Sequence, residues 1–315
     1  MGYPDVKQGH IVPATYLKAW TIGGKLVMRL VSAKDASYPK SPKKVGTRNR
    51  AYRRTRPGTG EKIDDVEASL QALEDRVSPL LHAFVERPEW PLPTEKKKKL
   101  AEFFAMQALR GADGQAWLEK LTRDFHAKIG LKRPIDTDKL TMMLKLSRSV
   151  TAWLCSMQWL LLEFDAPLLT TSDEPVVIWP LDANSRKATD LAPHFEFQPL
   201  LEIQIPVSPR LAIVMTWVHD SDKRFPGNRD LAATLNALVI GQADHEWYHR
   251  PGVDDIPRAS GSVGPISPQL MPGYGPFVVE HSKLRKTAMA YVLKTLNRPL
   301  DDTTIEVAVI KEAQT

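Results

Sequence analysis

Residues 138–164, with the sequence DKLTMMLKLSRSVTAWLCSMQWLLLEF, form the segment on which the fold of this chain depends. Apolar side chains recur every three or four residues and cover two adjacent helical faces, one including Leu140 and the other Val150. A helix that is apolar over most of its surface belongs at the centre of a domain. We therefore predict a long central helix over about residues 138–164, with the other elements packed around it.

The segments on either side of this helix differ in character. Residues 63–85 and 94–111 carry apolar side chains at helical spacing, whereas residues 167–218 contain short β-rich runs broken by Pro, Asp and Asn. Two of these runs are PVVIW at 175–179 and LAIVMTWV at 211–218. Helices and strands that occupy separate parts of a chain are typical of the α+β class. We predict an α+β fold in which an antiparallel sheet flanks the helical core.

The composition is that of a globular protein with a substantial core. The chain has 315 residues, of which 43% are hydrophobic and 25% are charged. We predict a single domain over residues 1–315 that ends in a helix over about 281–296 and a strand over 304–310. A Gly/Pro-rich loop over residues 249–276 is expected to act as a lid or to be a disordered excursion.

Cysteine usage and hydropathy suggest the compartment. Cys155 is the single cysteine and lies in an apolar run, so a disulfide framework is excluded and a reducing environment is favoured. No secretory signal pattern opens the chain. The longest uncharged apolar stretch, residues 149–162, has 14 residues and is too short to cross a bilayer. We expect a cytoplasmic protein with no membrane partner.

Positive charge is concentrated in one segment. The net charge is +6, and residues 40–56 (KSPKKVGTRNRAYRRTR) contain eight Lys or Arg and no acid, with a second cluster at 96–99. Guanidinium groups pair bidentately with phosphate. The sequence therefore predicts an exposed basic loop that binds nucleic acid or another polyanion through Arg50, Arg53 and Arg54. A solvated basic surface loop would have the same composition.

A histidine motif, HIVPATYL, starts at His10. Pro13 suits the first turn of a helix, because its missing N–H would have no partner there. His10 would then lie just outside a helix N-terminus, where the dipole disfavours a protonated imidazole. A neutral histidine in this position is a candidate general base or metal ligand. An ordinary helix entry, with the histidine bonded to backbone, is the alternative.

Other polar residues occupy positions that a simple core would leave apolar. Gln107 and Arg110 lie on a helical stripe that should face inward, and a buried guanidinium needs a carboxylate partner or a bound anion. Asp173 belongs to the run TSDEP at 171–175, whose hydroxyl and carboxylate groups suit a divalent cation or a turn. Asn236 lies within a helix, where asparagine is a poor choice on propensity.

Common catalytic motifs are missing from the chain, which has no Walker A loop, no GxGxxG, no GxSxG and no CxxC pair. Five short motifs nevertheless occur in a characteristic order. They are HxxPxxYL at 10–17, FAMQALR at 104–110, TSDEP at 171–175, PVSP at 206–209 and Asn236. Together they resemble the bacterial family known as domain of unknown function 4238.

This resemblance covers about residues 8–250. Two departures are Trp20, where a phenylalanine is more usual, and Glu174, where a small polar residue is expected. The family carries no assigned activity, so the resemblance supplies none. It does imply a shared site formed by His10, Gln107, Arg110, Asp173 and Asn236.

Three functional classes remain compatible with these residues. A nuclease-like phosphodiesterase would use His10 as general base and Asp173 as a second base or metal ligand, with Gln107, Arg110 and Asn236 binding substrate. No cofactor is identified, although Mg²⁺ or Mn²⁺ is compatible with Asp173. A non-catalytic protein that binds nucleic acid, a nucleotide or a partner is the second class. A buried hydrogen-bond network that fixes the core is the third. We take the enzyme as the working hypothesis.

Overall fold

The computed structural model describes residues 8–55, 59–129, 135–180, 186–187, 200–216 and 221–270. The helix and strand expected at 281–296 and 304–310 lie outside these residues. The helices are α1 (Ala14–Leu17), α2 (Asp65–Glu86), α3 (Thr94–Arg110), α4 (Ala112–Ile129), α5 (Ile135–Ser156), α6 (Arg229–Gln242) and α7 (Ser267–Leu270). The strands are β1 (Gln8–His10), β2 (Leu26–Leu30), β3 (Ala33–Lys40), β4 (Thr47–Asn49), β5 (Arg54–Thr55), β6 (Lys62–Ile63), β7 (Gln158–Glu163), β8 (Thr171–Ser172), β9 (Val177–Pro180), β10 (Arg186–Lys187), β11 (Leu200–Ser208), β12 (Leu211–Thr216), β13 (Lys223–Pro226), β14 (Glu246–His249) and β15 (Ser262–Val263).

The strands form two larger sheets and three short pairs. One sheet has the order β13-β7-β12-β11-β9, and the other has the order β3-β2-β14-β8. Neighbouring strands run antiparallel, except that β13 and β7 are parallel. The short pairs are β1 with β4, β5 with β6 and β10 with β15. Helices and antiparallel sheets together confirm the predicted α+β class.

The central helix is shorter than its apolar pattern predicts. α5 ends at Ser156, and the chain continues as β7 between β12 and β13. Residues 159–162 in β7 are completely buried. A strand buried on both faces carries an uninterrupted apolar run, which periodicity alone does not distinguish from a buried helix. The prediction of one helix extending to residue 164 is therefore wrong.

α3 connects the helices to the five-stranded sheet. It packs against α2, α4 and α5, and its side chains Leu100, Phe104 and Leu109 are completely buried. The Phe104 ring lies 5.8 Å from the ring of Trp159 in β7. One continuous apolar core extends from Ile11 to Ile266. α3 thus places its polar side chains at the border of this core.

The basic segment at residues 40–56 is more ordered than an exposed loop. It contains the end of β3, a 3₁₀ turn at Pro42–Lys44, β4 and β5. Arg53 donates two hydrogen bonds to Asp64, at 3.3 and 3.1 Å, and Arg54 forms an ion pair with Asp65. The expectation that both arginines are available for phosphate is therefore corrected, because nearby carboxylates already neutralise them. Within the described part of the segment, Arg50 is exposed in the left-handed region, with φ 50°.

The Gly/Pro-rich segment at 249–276 is described as far as residue 270. This part contains β15 and α7 and is bound to α6, because the Ala259 amide donates to the Ala233 carbonyl at 3.1 Å. The described part, residues 249–270, is therefore attached to α6 and is not a free excursion.

Candidate functional site

His10 is the last residue of β1, and Pro13 caps α1 from the position just before the first turn in which it was expected. α1 has only four residues. Burial lowers the pKa of His10; the negative charge of Glu74 opposes this effect, and the positive charge of Arg110 adds to it. A lowered pKa keeps the imidazole neutral at pH 7. Burial therefore produces the neutral state that the sequence attributed to a helix dipole.

Gln107 and Arg110 lie on the inner face of α3, where they are 3% and 2% exposed. The Gln107 side chain donates from Nε2 to the Ile11 carbonyl at 2.8 Å, and its Oε1 accepts from Arg110 Nε at 3.0 Å. The spacing of three residues puts both side chains on one face, so that the amide orients the guanidinium. α3 is thereby bonded to the chain immediately after His10.

Two glutamates from α2 complete this arrangement. Glu74 forms an ion pair with Arg110, with 2.8 Å between Oε1 and Nη1. Burial raises the pKa of Glu67 to about 7; Arg110 opposes this shift, and Glu74 adds to it. Neither glutamate was among the site residues predicted from the sequence. They lie seven positions apart at the edge of the apolar stripe of α2, and this spacing was the available signal.

Two buried nitrogen atoms in this region have no hydrogen-bond partner, Arg110 Nη2 and His10 Nε2. The Tyr52 hydroxyl closes one side by donating to the His10 carbonyl at 3.1 Å. Buried polar groups are nearly always hydrogen-bonded, so two open nitrogens in one region indicate a place for a ligand. We call this group the histidine–arginine cluster; its members are His10, Tyr52, Glu67, Glu74, Gln107 and Arg110.

The cluster reaches the surface along α2. Gln107 and Arg110 are buried, whereas His10, Glu67 and Glu74 are half-buried. In the ion pair, the Arg110 side chain is 2% exposed and the Glu74 side chain is 12% exposed, so Glu74 lies nearer to the surface.

Asp173 lies in a different network. Its carboxylate accepts hydrogen bonds from the amides of residues 244, 245 and 246, at 2.9, 2.7 and 3.1 Å. Burial raises the pKa of Asp173 to about 6, and the three amides oppose that shift. Both carboxylate oxygens therefore have backbone partners, and the metal-ligand role of Asp173 stays a prediction. Among the described residues, no group of three or more His, Cys, Asp or Glu side chains is arranged to hold a metal.

Asn236 is fully occupied by the backbone and hydroxyl groups around it. Its Oδ1 accepts from the amide and hydroxyl of Thr170, at 2.8 and 3.1 Å. Its Nδ2 donates to the carbonyls of Leu168 and Pro257, at 2.8 and 2.9 Å. A side-chain amide offers two donors and two acceptor positions. Asn236 uses all of them to hold two loops, which differs from the substrate-binding role expected for it.

Residues 170–174 connect the separate motifs. The Tyr16 hydroxyl bonds to Thr171 Oγ1 at 2.8 Å and donates to the Pro206 carbonyl. Glu174 accepts from the Ala112 amide at the start of α4. There Gly111 leaves room for the Glu174 carboxylate, which would have to shift to accommodate a Cβ atom. All five residues of the segment are buried. The five sequence motifs therefore belong to one hydrogen-bonded framework, although they do not line one cavity.

The five residues that the resemblance grouped together thus separate into two sets. His10, Gln107 and Arg110 lie in the histidine–arginine cluster. Asp173 and Asn236 each satisfy their polar atoms in other parts of the fold. Of the three arginines expected to bind phosphate, Arg53 and Arg54 are paired with carboxylates. The structure consequently narrows the candidate site to the cluster around Arg110.

Comparison with known proteins assigns the chain to a family. A family model described as protein of unknown function (DUF4238) matches residues 8–252. The chain therefore belongs to this family, as its motifs indicated. The comparisons with curated proteins and with solved structures gave no match. Among the described residues, no helix is long and apolar enough to span a membrane.

Proposed function

We propose that this protein is a nuclease-like phosphodiesterase and that the histidine–arginine cluster is its active site. The observation that supports the proposal is the pair of buried, unpartnered nitrogens, Arg110 Nη2 and His10 Nε2. A phosphoryl group needs a cationic donor to stabilise its oxygens and a base to activate the attacking hydroxyl. Arg110 and His10 offer these two functions in one cluster.

Arg110 would bind a phosphoryl oxygen. Its Nε and Nη1 are held by Gln107 and Glu74, so the direction of the free Nη2 is determined before substrate binds. A preorganised guanidinium stabilises developing negative charge without reorganisation at the moment of reaction. Because Arg110 is 2% exposed, its charge is poorly screened by water.

His10 would act as general base and Glu67 as general acid. The lowered pKa of His10 leaves Nε2 free to accept a proton from the attacking water or hydroxyl. The pKa of Glu67, about 7, keeps a large fraction of this carboxyl protonated near neutral pH. As the new phosphorus–oxygen bond forms, His10 takes the proton of the nucleophile. As the old bond breaks, Glu67 gives a proton to the leaving oxygen.

Positive side chains near the cluster would attract a polyanionic substrate. Lys43 and Lys44 are exposed, and the Lys43 backbone hydrogen-bonds to the His10 imidazole. Arg50 is exposed in the same basic segment. Such charges increase the rate of association with nucleic acid and make binding sensitive to salt.

The test is a cleavage assay on labelled single-stranded RNA and DNA, with EDTA, Mg²⁺ or Mn²⁺ in separate reactions. We expect cleavage by the wild-type chain and a loss of about 10²- to 10⁴-fold in His10→Ala and Glu67→Gln. His245→Ala is the matched control, because that side chain is 72% exposed and outside the cluster. Thermal melts would verify that each variant is folded.

Two results would contradict the proposal. The first is cleavage that persists at the wild-type rate in both cluster variants. The second is the absence of cleavage under every condition. Binding without cleavage, lost in Arg110→Gln, would instead support a non-catalytic protein that recognises nucleic acid or a nucleotide. That alternative gains support from Asp173 and Asn236, which bond to backbone and leave fewer groups for catalysis.

A further inference from the structure

One face of the four-stranded sheet carries a second cluster of basic and aromatic side chains. Arg29 of β2 pairs directly with Trp247 of β14 across the antiparallel ladder, so both side chains lie on the same face. His249 lies two residues after Trp247 and shares this face. Trp247 and His249 are 4% and 3% exposed. None of these residues belongs to the histidine–arginine cluster.

Two guanidinium groups lie beside the indole of Trp247. The Cζ atoms of Arg29 and Arg258 are 5.4 and 5.0 Å from the ring centre. Both distances are within the range at which a cation is attracted to an aromatic ring. Arg29 Nε also donates to His249 Nε2 at 3.3 Å. Two positively charged groups therefore lie beside the same indole ring. Of the two arginines, Arg258 is exposed to solvent.

The backbone fixes Arg258 from both sides. The Pro257 carbonyl accepts from Asn236 at 2.9 Å, and the Ala259 amide donates to the Ala233 carbonyl at 3.1 Å. Both partners lie on α6, which is a rigid support. Less conformational entropy is lost when a ligand binds to groups that are already positioned. Asn236 consequently helps to position an arginine that lies beyond the family match.

The described carboxylates of this region do not pair with the two arginines, although the negative charge of Asp254 acts on the adjacent His249 and raises its pKa against the effect of burial. Within the described residues, neither forms an ion pair with a carboxylate, and Asp255 of the same segment pairs with Arg229 at 2.6 Å. Burial lowers the pKa of Arg258, and the charge of Arg29 lowers it further. Because the two like charges lie beside the same ring, they repel each other, and a bound anion would relieve that repulsion.

We propose that Arg29 and Arg258 form a binding site for a phosphate-type oxyanion beside Trp247. Planar guanidinium groups match the oxygens of phosphate bidentately, and two of them can hold one doubly charged group. The group could be a free phosphate compound or the terminal phosphate of a nucleic-acid strand, since both present the same oxygens. This site does not depend on the proposed phosphodiesterase activity.

The test is isothermal titration of the full chain with inorganic pyrophosphate at constant ionic strength. We expect the wild type to bind, and Arg258→Gln to bind about tenfold more weakly or worse, because charge-assisted hydrogen bonds are lost. Arg258→Lys, which keeps the charge without the planar fork, should lie between them. Arg229→Gln is the matched control, because it removes an exposed charge that already has a partner.

A second titration identifies the source of the phosphate. An RNA decamer with a 5′-phosphate and the same decamer with a 5′-hydroxyl are compared in the wild type and in Arg258→Gln. A preference for the phosphorylated strand that disappears in the variant assigns the site to strand ends. Pyrophosphate binding without that preference assigns it to free phosphate compounds. No pyrophosphate binding by the wild type, or equal affinity in Arg258→Gln, would overturn the proposal.

Discussion

Arg110 donates to the Glu74 carboxylate at 2.8 Å while its Nη2 has no partner. One guanidinium therefore contributes to the stability of the core and also keeps one buried donor without a partner. The two roles can be separated by experiment, because loss of the ion pair should lower the free energy of unfolding, whereas loss of the free donor should weaken ligand binding.

Glu74→Gln should lower the free energy of unfolding by about 3–5 kcal/mol, because it leaves a buried guanidinium without its counter-charge. Glu102→Gln is the matched control on α3. Glu102 pairs with Arg76 at 3.5 Å, and these side chains are 33% and 61% exposed. We expect the control to cost less than about 1 kcal/mol. Urea unfolding measures the free energy of unfolding of both variants. Equal losses would show that the buried Arg110–Glu74 pair stabilises the fold no more than the exposed Arg76–Glu102 pair.

Asn236→Asp should lower the free energy of unfolding by about 2–4 kcal/mol. The substitution keeps the size of the side chain but turns a donor towards two carbonyls into a second acceptor. Asn228→Asp in the same helix is the control, because Asn228 caps α6 by accepting from the Leu231 amide. Aspartate caps equally well, so its effect should be near zero. Thermal and urea melts measure the stability of both variants. An equal loss of stability in the two would show that the hydrogen bonds of Asn236 to the Leu168 and Pro257 carbonyls do not stabilise the fold specifically.

Glu67 should make stability depend on pH. Its pKa is raised from 4.5 to about 7 in the folded chain. The folded protein therefore binds more protons than the unfolded chain between these values, and the free energy of unfolding falls as pH rises through this window. Glu67→Gln should remove that fall. The free energy of unfolding of the variant should therefore increase relative to that of the wild type from pH 5 to pH 8. Glu86→Gln, exposed on the same helix, should change nothing. A stability difference independent of pH would contradict the raised pKa.

The rate of the proposed phosphodiesterase reaction should follow a bell-shaped pH profile. The rising limb reports the loss of a proton from His10, below its ordinary value of 6.5, and the falling limb reports ionisation of Glu67 near 7. Glu67→Gln should abolish the falling limb as well as reduce the rate. The measurement is kcat/KM between pH 4.5 and 9, with His245→Ala as control. A falling limb that survives in Glu67→Gln would remove Glu67 from the mechanism.

Local patterns were sufficient for most of the helices. The apolar spacing of residues 63–85 predicts α2 closely, and that of 94–111 predicts α3, because one side of each helix faces the core. The same reasoning failed at β7. A fully buried strand and a fully buried helix both lack a polar face, so spacing carries no information there.

The candidate site was predictable only in part. Gln107 and Arg110 are recognisable, because polar side chains on an apolar stripe must find partners. Glu67 and Glu74 lie seven residues apart at the edge of the apolar stripe of α2, but this spacing alone did not distinguish them from the other acids of the helix. Their role arises from the approach of α2 to α3, which brings Glu74 within 2.8 Å of Arg110. That approach depends on packing between segments and not on local spacing.

The sequence by itself determined the α+β class, the family and the polar residues that the core must accommodate, since each follows from composition, periodicity or motif order. The tertiary structure decided what those residues do. In the folded chain, the Asp173 carboxylate accepts hydrogen bonds from three backbone amides. Asn236 donates to carbonyls in two loops, and Arg110 Nη2 has no hydrogen-bond partner. Whether a buried polar atom is satisfied depends on which distant groups come within about 3 Å of it, and only the folded chain fixes those distances.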